Sequence, residues 1–198
     1  MVFRGSPIAL LALALLVPAC PALARKPDPI PPPAPEVSDA VALSRIPSEL
    51  MATEGMQLVL DRRLRQLMVL RDGRLLRRYP AAVGTEGWET PAGRHQVLEK
   101  VANPHWEHPG DGHSVPPGRT NPLGSRWIGF YRDCQGRKGW DGERQLEISG
   151  CTVAGFHGTP HRWTVGRAVS HGCVRLYEEN VQELFELVQV GTPVTVLP

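Results

Sequence analysis

Short apolar runs separated by turn-forming residues follow one another through most of the chain. Runs with the length and composition of β-strands cover residues 56–61, 65–71, 74–83, 94–101, 127–132, 145–149, 152–156 and 194–197. Asp72-Gly73 is a two-residue hairpin signal between the second and third runs. Short strands at turn-separated intervals are typical of all-β domains. The pattern therefore predicts a mainly β fold, either a β-sandwich or a barrel.

One segment near the C-terminus, residues 181–190, has helical periodicity instead. Its apolar positions fall on one face: Val181, Leu184, Phe185 and Val188. Gly191 is placed to end this helix, and Asn180 followed by Glu183 has the pattern of a capping box at its start. We predict one C-terminal amphipathic helix that packs on the sheet.

A long segment, residues 103–125, lacks a strand pattern and carries four prolines before Pro122. It is too long for an ordinary hairpin loop, and loops of this length in compact domains are often lids or binding loops. We interpret it as a lid-like loop that forms one wall of a substrate cleft. The alternative is a surface excursion without function.

The N-terminus, residues 1–24, has the features of an export signal. Its apolar run from Ile8 to Val17 is ten residues long, whereas a membrane-spanning helix needs about 20. Ala22-Leu23-Ala24 offers a cleavage site, and the residues before Cys20 resemble a lipoprotein box. We expect an exported protein of the periplasm or cell envelope, cleaved after Ala24, with a lipid anchor at Cys20 as the alternative.

Residues 25–55 are rich in proline and nearly free of apolar periodicity. This composition predicts a polyproline-like linker or an unstructured tail ahead of a domain at residues 56–198. The formal net charge is +2, and positive and negative residues are interspersed. The sequence therefore gives no sign of a nucleic-acid partner.

The candidate catalytic residues lie between 156 and 176, where Cys173 is close in sequence to His157, His161 and His171. A thiol with a pKa of about 8.5 is only a few per cent thiolate at neutral pH, so a nucleophilic cysteine needs a base or an electropositive pocket beside it. The glycine in Ser170-His171-Gly172-Cys173 would let the backbone approach a substrate, with N–H groups facing a developing oxyanion.

These motifs carry a family resemblance. His-Gly-Thr-Pro at 157–160, followed by Ser-His-Gly-Cys-Val-Arg-Leu at 170–176, resembles the catalytic signature of the YkuD-type L,D-transpeptidases, which cross-link bacterial peptidoglycan. The similarity also includes residues 90–93, 121–127 and 190–194, and it extends over roughly residues 56–198. It implies the β fold of that catalytic domain.

The resemblance implies a role for each matching residue. Cys173 is the nucleophile, His157 is the base, and the Gly158 carbonyl orients the imidazole. The residues implied in the oxyanion site are His171, Gly172 and Cys173, and those implied in substrate binding are Arg175, Ser170 and Thr159. Glu178 stands where the family often has asparagine, which leaves the contact made at that position open.

The implied reaction is a two-step acyl transfer on peptidoglycan stem peptides, without a cofactor. Cys173 expels the terminal D-alanine, and an amine of a second stem resolves the thioester into a 3→3 cross-link. Hydrolysis by an L,D-carboxypeptidase and attachment of a protein to peptidoglycan would use the same chemistry. A non-catalytic wall-binding module is the alternative from another functional class.

Two further groups of residues have more than one interpretation. The spacing of His105 with His108, and that of a second group, fit zinc ligands superficially; the second group is His157, His161, His171 and Cys173. Gly158 and Pro160 stand between His157 and His161 and argue against a shared helix face, and we expect no metal. In an exported domain, Cys134 and Cys151 are expected to form a disulfide, which would stabilise the fold by about 3 kcal/mol and leave Cys173 unpaired. Two free thiols are the alternative.

Overall fold

The computed structural model describes residues 30–108, 111–140 and 145–198. The chain is mainly β, as predicted, and its two larger sheets share one hydrophobic core. Among the described strands, neither sheet closes into a barrel. The predicted export signal at residues 1–24, including Cys20, lies outside the described residues.

The strands in chain order are β1 (Met56–Asp61), β2 (Gln66–Arg71), β3 (Arg74–Pro80), β4 (Val83–Gly84), β5 (Gly93–Gln96), β6 (Glu99–Ala102), β7 (Trp106–Glu107), β8 (Ser114–Val115), β9 (Arg126–Asp133), β10 (Arg137–Trp140), β11 (Gln145–Ile148), β12 (Thr152–His157), β13 (Ala168–Ser170), β14 (Val174–Arg175) and β15 (Pro193–Leu197). The helices are α1 (Asp39–Ser44), α2 (Ser48–Met51), α3 (Glu178–Leu187) and a 3-10 turn at Arg162–Thr164. The five-stranded sheet has the order β3-β2-β1-β15-β5, and the four-stranded sheet has the order β14-β12-β9-β6. Three strand pairs complete the fold: β4 with β13, β7 with β8, and β10 with β11.

Strand β1 is buried on both faces. Leu58 and Leu60 point into the core shared by the two sheets, whereas Val59 belongs to a second apolar cluster on the outer face. Strand β2 alternates in the same way, with Leu67 in the shared core and Met68 in the outer cluster. Burial on both faces explains why these strands are continuous apolar runs in the sequence.

The segment that covers the outer face precedes β1. The prediction of a linker or unstructured tail up to residue 55 is wrong for residues 39–44 and 48–51, which form α1 and α2. Ala42 of α1, Ile46 between the helices and Leu50 of α2 are buried in the outer cluster. The prolines around them obscured this short apolar stripe in the sequence.

Polar contacts fix this N-terminal segment in place. The carboxylate of Asp61 is fully buried, and it accepts hydrogen bonds from Arg45 Nε at 2.5 Å and from the Leu64 N–H at 2.8 Å. The buried Gln57 side chain donates to the Leu50 carbonyl at 2.6 Å. Buried polar groups with specific partners define the register of a segment more strongly than apolar contact alone.

Two predicted strands are divided in the structure. The run at 94–101 forms β5 in the larger sheet and β6 in the smaller one, and the chain passes between them at Val97 and Leu98. The run at 74–83 ends at Pro80, because proline has no N–H for the ladder, and the chain then pairs again as β4. Each change of partner redirects the chain between sheets.

The C-terminal helix is present, but its predicted start and end are wrong. It spans Glu178–Leu187, Tyr177 occupies the N-cap position without a side-chain cap, and Val188 follows in an extended conformation. The Asn180 capping box is therefore not formed, and Glu183 instead accepts hydrogen bonds from Arg77 and Tyr79. The apolar face is as predicted, since Val181, Leu184 and Val188 are buried and Phe185 packs against them. No helix in the described ranges is long and apolar enough to cross a membrane.

The predicted disulfide joins Cys134 and Cys151, and Cys173 is the free cysteine of the described residues. The bond closes the base of the β10–β11 hairpin, because Cys134 follows β9 and Cys151 precedes β12. The hairpin is thus tied to the two strands that form the centre of the smaller sheet.

The packing of residues 39–51 leads to a stability prediction. Ile46 is 6% exposed and Ile30 is 60% exposed, so the same truncation to alanine should have different effects at the two sites. Ile46→Ala should lower the free energy of unfolding by about 2 to 4 kcal/mol, because it leaves a cavity in the outer cluster. Ile30→Ala should change it by less than about 0.5 kcal/mol. Urea unfolding of both variants, with the disulfide intact, makes the comparison, and equal values would mean that residues 39–51 do not support the domain.

Candidate active site

Two neighbouring strands of the smaller sheet bring the predicted catalytic residues together. Strands β12 and β14 pair in parallel, with Phe156 opposite Val174 and His157 opposite Arg175. Continuing this register by one residue places Cys173 beside Gly155, whose backbone hydrogen-bonds to the thiol. The pairing is extended by a hydrogen bond from the Leu176 N–H to the His157 carbonyl at 2.8 Å. The histidine at the end of β12 and the cysteine immediately before β14 are therefore held next to each other.

The loop before Cys173 is shaped by Ser170 and Gly172. The buried Ser170 hydroxyl donates to the Cys173 carbonyl at 2.5 Å and accepts from the Gly172 N–H at 3.2 Å. Gly172 has a φ of +113°, which side-chain-bearing residues rarely adopt. Since the Gly172 N–H is already bonded, the predicted oxyanion role of that group is not available in this conformation. The Cys173 N–H makes no hydrogen bond within residues 30–108, 111–140 and 145–198, so it remains as a donor.

His157 is deeply buried, with 4% of its surface exposed. Its Nδ1 lies 2.6 Å from the Gly158 carbonyl oxygen, which matches the predicted orienting role of Gly158. A carbonyl can only accept, so Nδ1 carries the hydrogen and Nε2 keeps a lone pair for a proton. Burial, together with the charge of Arg175, lowers the pKa of His157 to about 3. The imidazole is therefore neutral at physiological pH.

The cysteine and the arginine have shifted pKa values too. Burial raises the pKa of the Cys173 thiol, while the Gly155 hydrogen bond and the charge of Arg175 act in the opposite direction. Burial also lowers the pKa of the half-buried Arg175. The thiol donates to the Val153 carbonyl at 3.8 Å. The resting site thus contains a protonated thiol beside a neutral imidazole and a guanidinium.

Sequence reasoning missed Trp127 and Glu99 as parts of the site. The indole of Trp127 stacks beside the His157 ring, with a centroid distance of 6.1 Å and an interplanar angle of 29°, and Nε1 donates to Glu99 Oε1 at 3.0 Å. A Cβ at Gly155 would lie 2.7 Å from the indole, so only glycine leaves room for it there. A lone glycine within a predicted strand was the signal that could have indicated this close approach.

A second missed aromatic residue, the fully buried Trp88, supports the cysteine loop from the other side. The exposed ring of His171 meets Trp88 edge-on at 5.2 Å, and the Arg137 guanidinium lies 4.8 Å from the centre of the Trp88 ring. Trp88 Nε1 also donates to the Trp140 carbonyl at 2.8 Å. These contacts attach the β10–β11 hairpin to the loop that carries the predicted oxyanion residues.

The cysteine opens into a cleft of about 520 Å³. Six of its lining residues come from the predicted lid-like loop: Pro104, His105, Trp106, Glu107, Pro122 and Leu123. The loop also contains the β7–β8 pair, which the sequence pattern did not show. Residues 103–125 therefore form one wall of the cleft, and the alternative of a functionless excursion is not supported.

Asn121 holds this wall together. Its fully buried side chain donates to the carbonyls of Pro104, Val115 and Pro116 at 2.9 to 3.2 Å and accepts from the Leu123 N–H at 2.8 Å. Both the amide nitrogen and the amide oxygen of the side chain are thus used in hydrogen bonds inside the loop. The Asn-Pro-Leu-Gly motif has a structural role in shaping the cleft.

Glu178 anchors the end of the same loop. Its carboxylate accepts hydrogen bonds from the Ser125 N–H at 3.1 Å and from the Ser125 hydroxyl, and Gln182 Nε2 donates to it at 3.1 Å. Glu178, which stands where the family often has asparagine, therefore contacts Ser125 and Gln182. The acidic residue ties the cleft wall to the first turn of α3.

The structure places the remaining predicted residues in different surroundings. Arg175, Ser170 and His171 line the Cys173 cleft. Thr159 is buried, accepts a hydrogen bond from the His161 N–H at 3.1 Å, and lines a separate cavity of about 510 Å³. In the part of the chain that is described, no three His, Cys, Asp or Glu side chains form a group suited to hold a metal ion.

Comparison with known proteins places this arrangement in a family. The chain is 33% identical over 138 residues to YqjB of Bacillus subtilis strain 168, an L,D-transpeptidase by name, and the match covers 70% of this chain and 69% of YqjB. A crystal structure of an L,D-transpeptidase of Enterococcus faecium matches 73% of this chain with a TM-score of 0.53 and 21% identity. The chain spans half the length of that protein.

The isolated catalytic domain from E. faecium, in a form acylated by ertapenem, matches 73% of this chain and 98% of its own length, with a TM-score of 0.51 and 22% identity. These two structural likenesses show the fold. Residues 56–196 match the YkuD family, described as the L,D-transpeptidase catalytic domain. The chain therefore belongs to the L,D-transpeptidase catalytic domain family.

Proposed function

We propose that this chain is an exported cysteine L,D-transpeptidase, which forms an acyl-enzyme on Cys173 and builds 3→3 cross-links between peptidoglycan stem peptides. The family supports an acyltransferase that acts in peptidoglycan cross-linking. One observation carries the assignment of the chemistry. A free cysteine immediately before β14 and a histidine with a fixed tautomer at the end of the adjacent parallel strand β12 line one cleft.

The first step starts from a neutral pair. The thiol proton of Cys173 passes to Nε2 of His157 as the sulfur attacks the carbonyl carbon of the third stem residue. Charge that develops on the carbonyl oxygen faces the Cys173 N–H, a backbone donor without another partner in the described chain. The C–N bond to the terminal D-alanine then breaks, and the proton on His157 passes to the leaving amine. A thioester on Cys173 remains.

The second step reverses the roles. An amine of a neighbouring stem attacks the thioester carbon and gives a proton to His157, the C–S bond breaks, and the proton returns to the sulfur. The new amide is the 3→3 cross-link. Water in place of the amine would give trimming of the stem, and a protein amine would give attachment to peptidoglycan, so these alternatives differ only in the acceptor.

The location of the activity follows from the N-terminal sequence. Residues 1–24 have a basic residue, a ten-residue apolar run and an Ala-Leu-Ala site, which support export, and Cys20 supports a lipid anchor as the alternative to cleavage. The Cys134–Cys151 disulfide is consistent with an oxidising compartment. We place the domain in the periplasm or cell envelope, where its stem-peptide substrates are found.

The proposed chemistry predicts distinct effects of three substitutions. Cys173→Ala should abolish acylation by a carbapenem, because the nucleophile is lost, and His157→Ala should slow it by at least about a hundredfold, because the base is lost. His161→Ala is the matched control, since this histidine is exposed, follows His157 by four residues and does not line the cleft. It should react at the wild-type rate. The measurement is the increase in protein mass with time after addition of the carbapenem.

Two outcomes of that experiment would contradict the proposal. Full acylation of Cys173→Ala would show that another residue is the nucleophile. A wild-type acylation rate in His157→Ala would show that His157 is not the base. The near-ultraviolet circular dichroism of each variant serves as a check that the fold is intact.

The buried site also predicts an unusual pH dependence. The pKa of His157 is lowered to about 3, so the neutral base is fully present above roughly pH 4, and the raised pKa of Cys173 keeps the thiol protonated up to alkaline pH. The rate of acylation should therefore stay constant within about twofold from pH 5 to pH 8. For a histidine with the ordinary pKa of about 6.5, the neutral fraction would instead fall roughly thirtyfold from pH 8 to pH 5.

Stopped-flow fluorescence or mass spectrometry at a series of pH values makes this measurement, with the carbapenem shown to be stable at each pH. A rate that falls towards pH 5 with a midpoint near 6.5 would mean that His157 is solvated and titrates normally. That result would contradict the burial of His157.

A further inference from the structure

The cleft continues past Cys173 into a smaller cavity of about 310 Å³. Three residues line both spaces: Glu99, Arg132 and Val153. Val153 is also the residue whose carbonyl lies 3.8 Å from the Cys173 sulfur. The two cavities thus adjoin along Glu99, Arg132 and Val153, and we treat them together as one groove, in which Cys173 lines the larger cavity.

The strand register gives this groove a direction. On β12, Val153 and His157 lie on opposite sides of Gly155, and Cys173 is level with Gly155. Arg175 is opposite His157, whereas Arg132 is opposite Val153 on β9. Residues directly opposite each other in an antiparallel pair project from the same face, so Arg132 and Val153 share the groove. The two arginines therefore lie on opposite sides of the point of attack.

The guanidinium of Arg132 is exposed, and it forms no hydrogen bond or ion pair with any described residue. Glu99 is the acidic residue in the lining of the smaller cavity, and its carboxylate accepts a hydrogen bond from the Trp127 N–H at 3.0 Å. Arg175 differs from Arg132, because it is half-buried next to the reacting thiol. Arg132 thus presents a positive charge without a hydrogen-bond or ion-pair partner among the described residues, in a lining that it shares with Glu99.

We propose that Arg132 is a specificity-determining residue that binds a carboxylate of the donor stem peptide, on the opposite side of the scissile bond from Arg175. This inference rests on the proposed function, since it concerns the substrate of the same site. Arg175 then faces the carboxylate of the departing D-alanine, and Arg132 faces an acidic residue that precedes the attacked residue in the stem.

The dimensions of the groove fit a peptide of this length. Val153 and His157 are four residues apart along β12, which corresponds to about 13 Å at roughly 3.3 Å per residue. An extended tetrapeptide covers the same distance. A stem that places its scissile bond at Cys173 can therefore reach Arg175 with its terminal carboxylate and Arg132 with a carboxylate of the residue before the attacked one.

The surface around Arg132 suits the rest of such a peptide. Val153 is 38% exposed and Val101 is 39% exposed on the cleft side, and Leu98 is 46% exposed at the rim of the smaller cavity. Apolar contacts beside one positive charge are complementary to a peptide that carries both aliphatic side chains and a carboxylate.

The test compares two substrates in two proteins. The substrates are stem tetrapeptides that are identical except that the residue before the attacked one carries a free carboxylate or the corresponding carboxamide. For the wild-type protein, the KM of the carboxylate stem should be about threefold to tenfold lower than that of the carboxamide stem. In Arg132→Gln the two KM values should become equal, and kcat should stay within twofold. Arg132→Lys should recover part of the preference, because it restores the charge.

Two controls make the result specific to this site. Arg94→Gln removes an exposed arginine of the other sheet and should keep the wild-type preference. Acylation by a carbapenem, which has no preceding acidic residue, should proceed at the wild-type rate in Arg132→Gln. This second readout also shows that the variant is folded and that its nucleophile is intact.

The outcomes separate this inference from the proposed function. If the wild-type protein reacts with neither the stems nor the carbapenem, the proposed function fails. If the wild-type protein reacts and the preference for the carboxylate stem is the same in Arg132→Gln, or if the wild-type protein shows no preference, the role of Arg132 is wrong.

Discussion

The parallel pairing of β12 with β14 is the constraint on which the site depends. It consists of two residue pairs, yet it sets His157 against Arg175 and Cys173 beside Gly155. The hydrogen bond from Leu176 to His157 and the mutual backbone bonds between Ala82 and Arg175 hold this edge of the sheet. Residues on a regular ladder are positioned more rigidly than residues on a free loop, so the reacting groups are pre-oriented.

Burial has opposite effects on the two reacting groups, and both effects favour the neutral state. It lowers the pKa of His157 and raises that of Cys173, because a charge is costly in a low-dielectric site. A buried thiolate–imidazolium pair would need further stabilisation, and Arg175, the nearest cation, opposes the charge on the histidine. The geometry therefore favours proton transfer during attack over a preformed ion pair. The wall of residues 103–125 maintains this environment through the buried hydrogen bonds of Asn121.

The sequence predicted the mainly β fold and most strands, because alternating and continuous apolar runs are local signals. It also predicted the disulfide, from the expected export and the cysteine count, and the residues that converge in the cleft, from their resemblance to a family. It could not predict which strands pair, since the parallel contact of β12 with β14 depends on tertiary packing. The start of α3 was missed because Tyr177 provides no capping side chain, and α1 and α2 were missed because prolines surround a three-residue apolar stripe. The use of the Gly172 N–H by Ser170, and the location of Thr159 outside the cleft, depend on loop geometry that a motif does not encode.

The central claim is that Cys173 carries the acyl group of a stem peptide during the reaction. The most direct measurement is rapid acid quenching of the purified protein with a stem tetrapeptide, followed by mass analysis of the protein and of its proteolytic fragments. We expect the protein to gain the mass of the tetrapeptide minus one molecule of D-alanine, which leaves as the free amino acid. The adduct should lie on the fragment that contains Cys173, and hydroxylamine should remove it, as it removes a thioester. Release of D-alanine without any adduct, or an adduct on a fragment that lacks Cys173, would contradict the account.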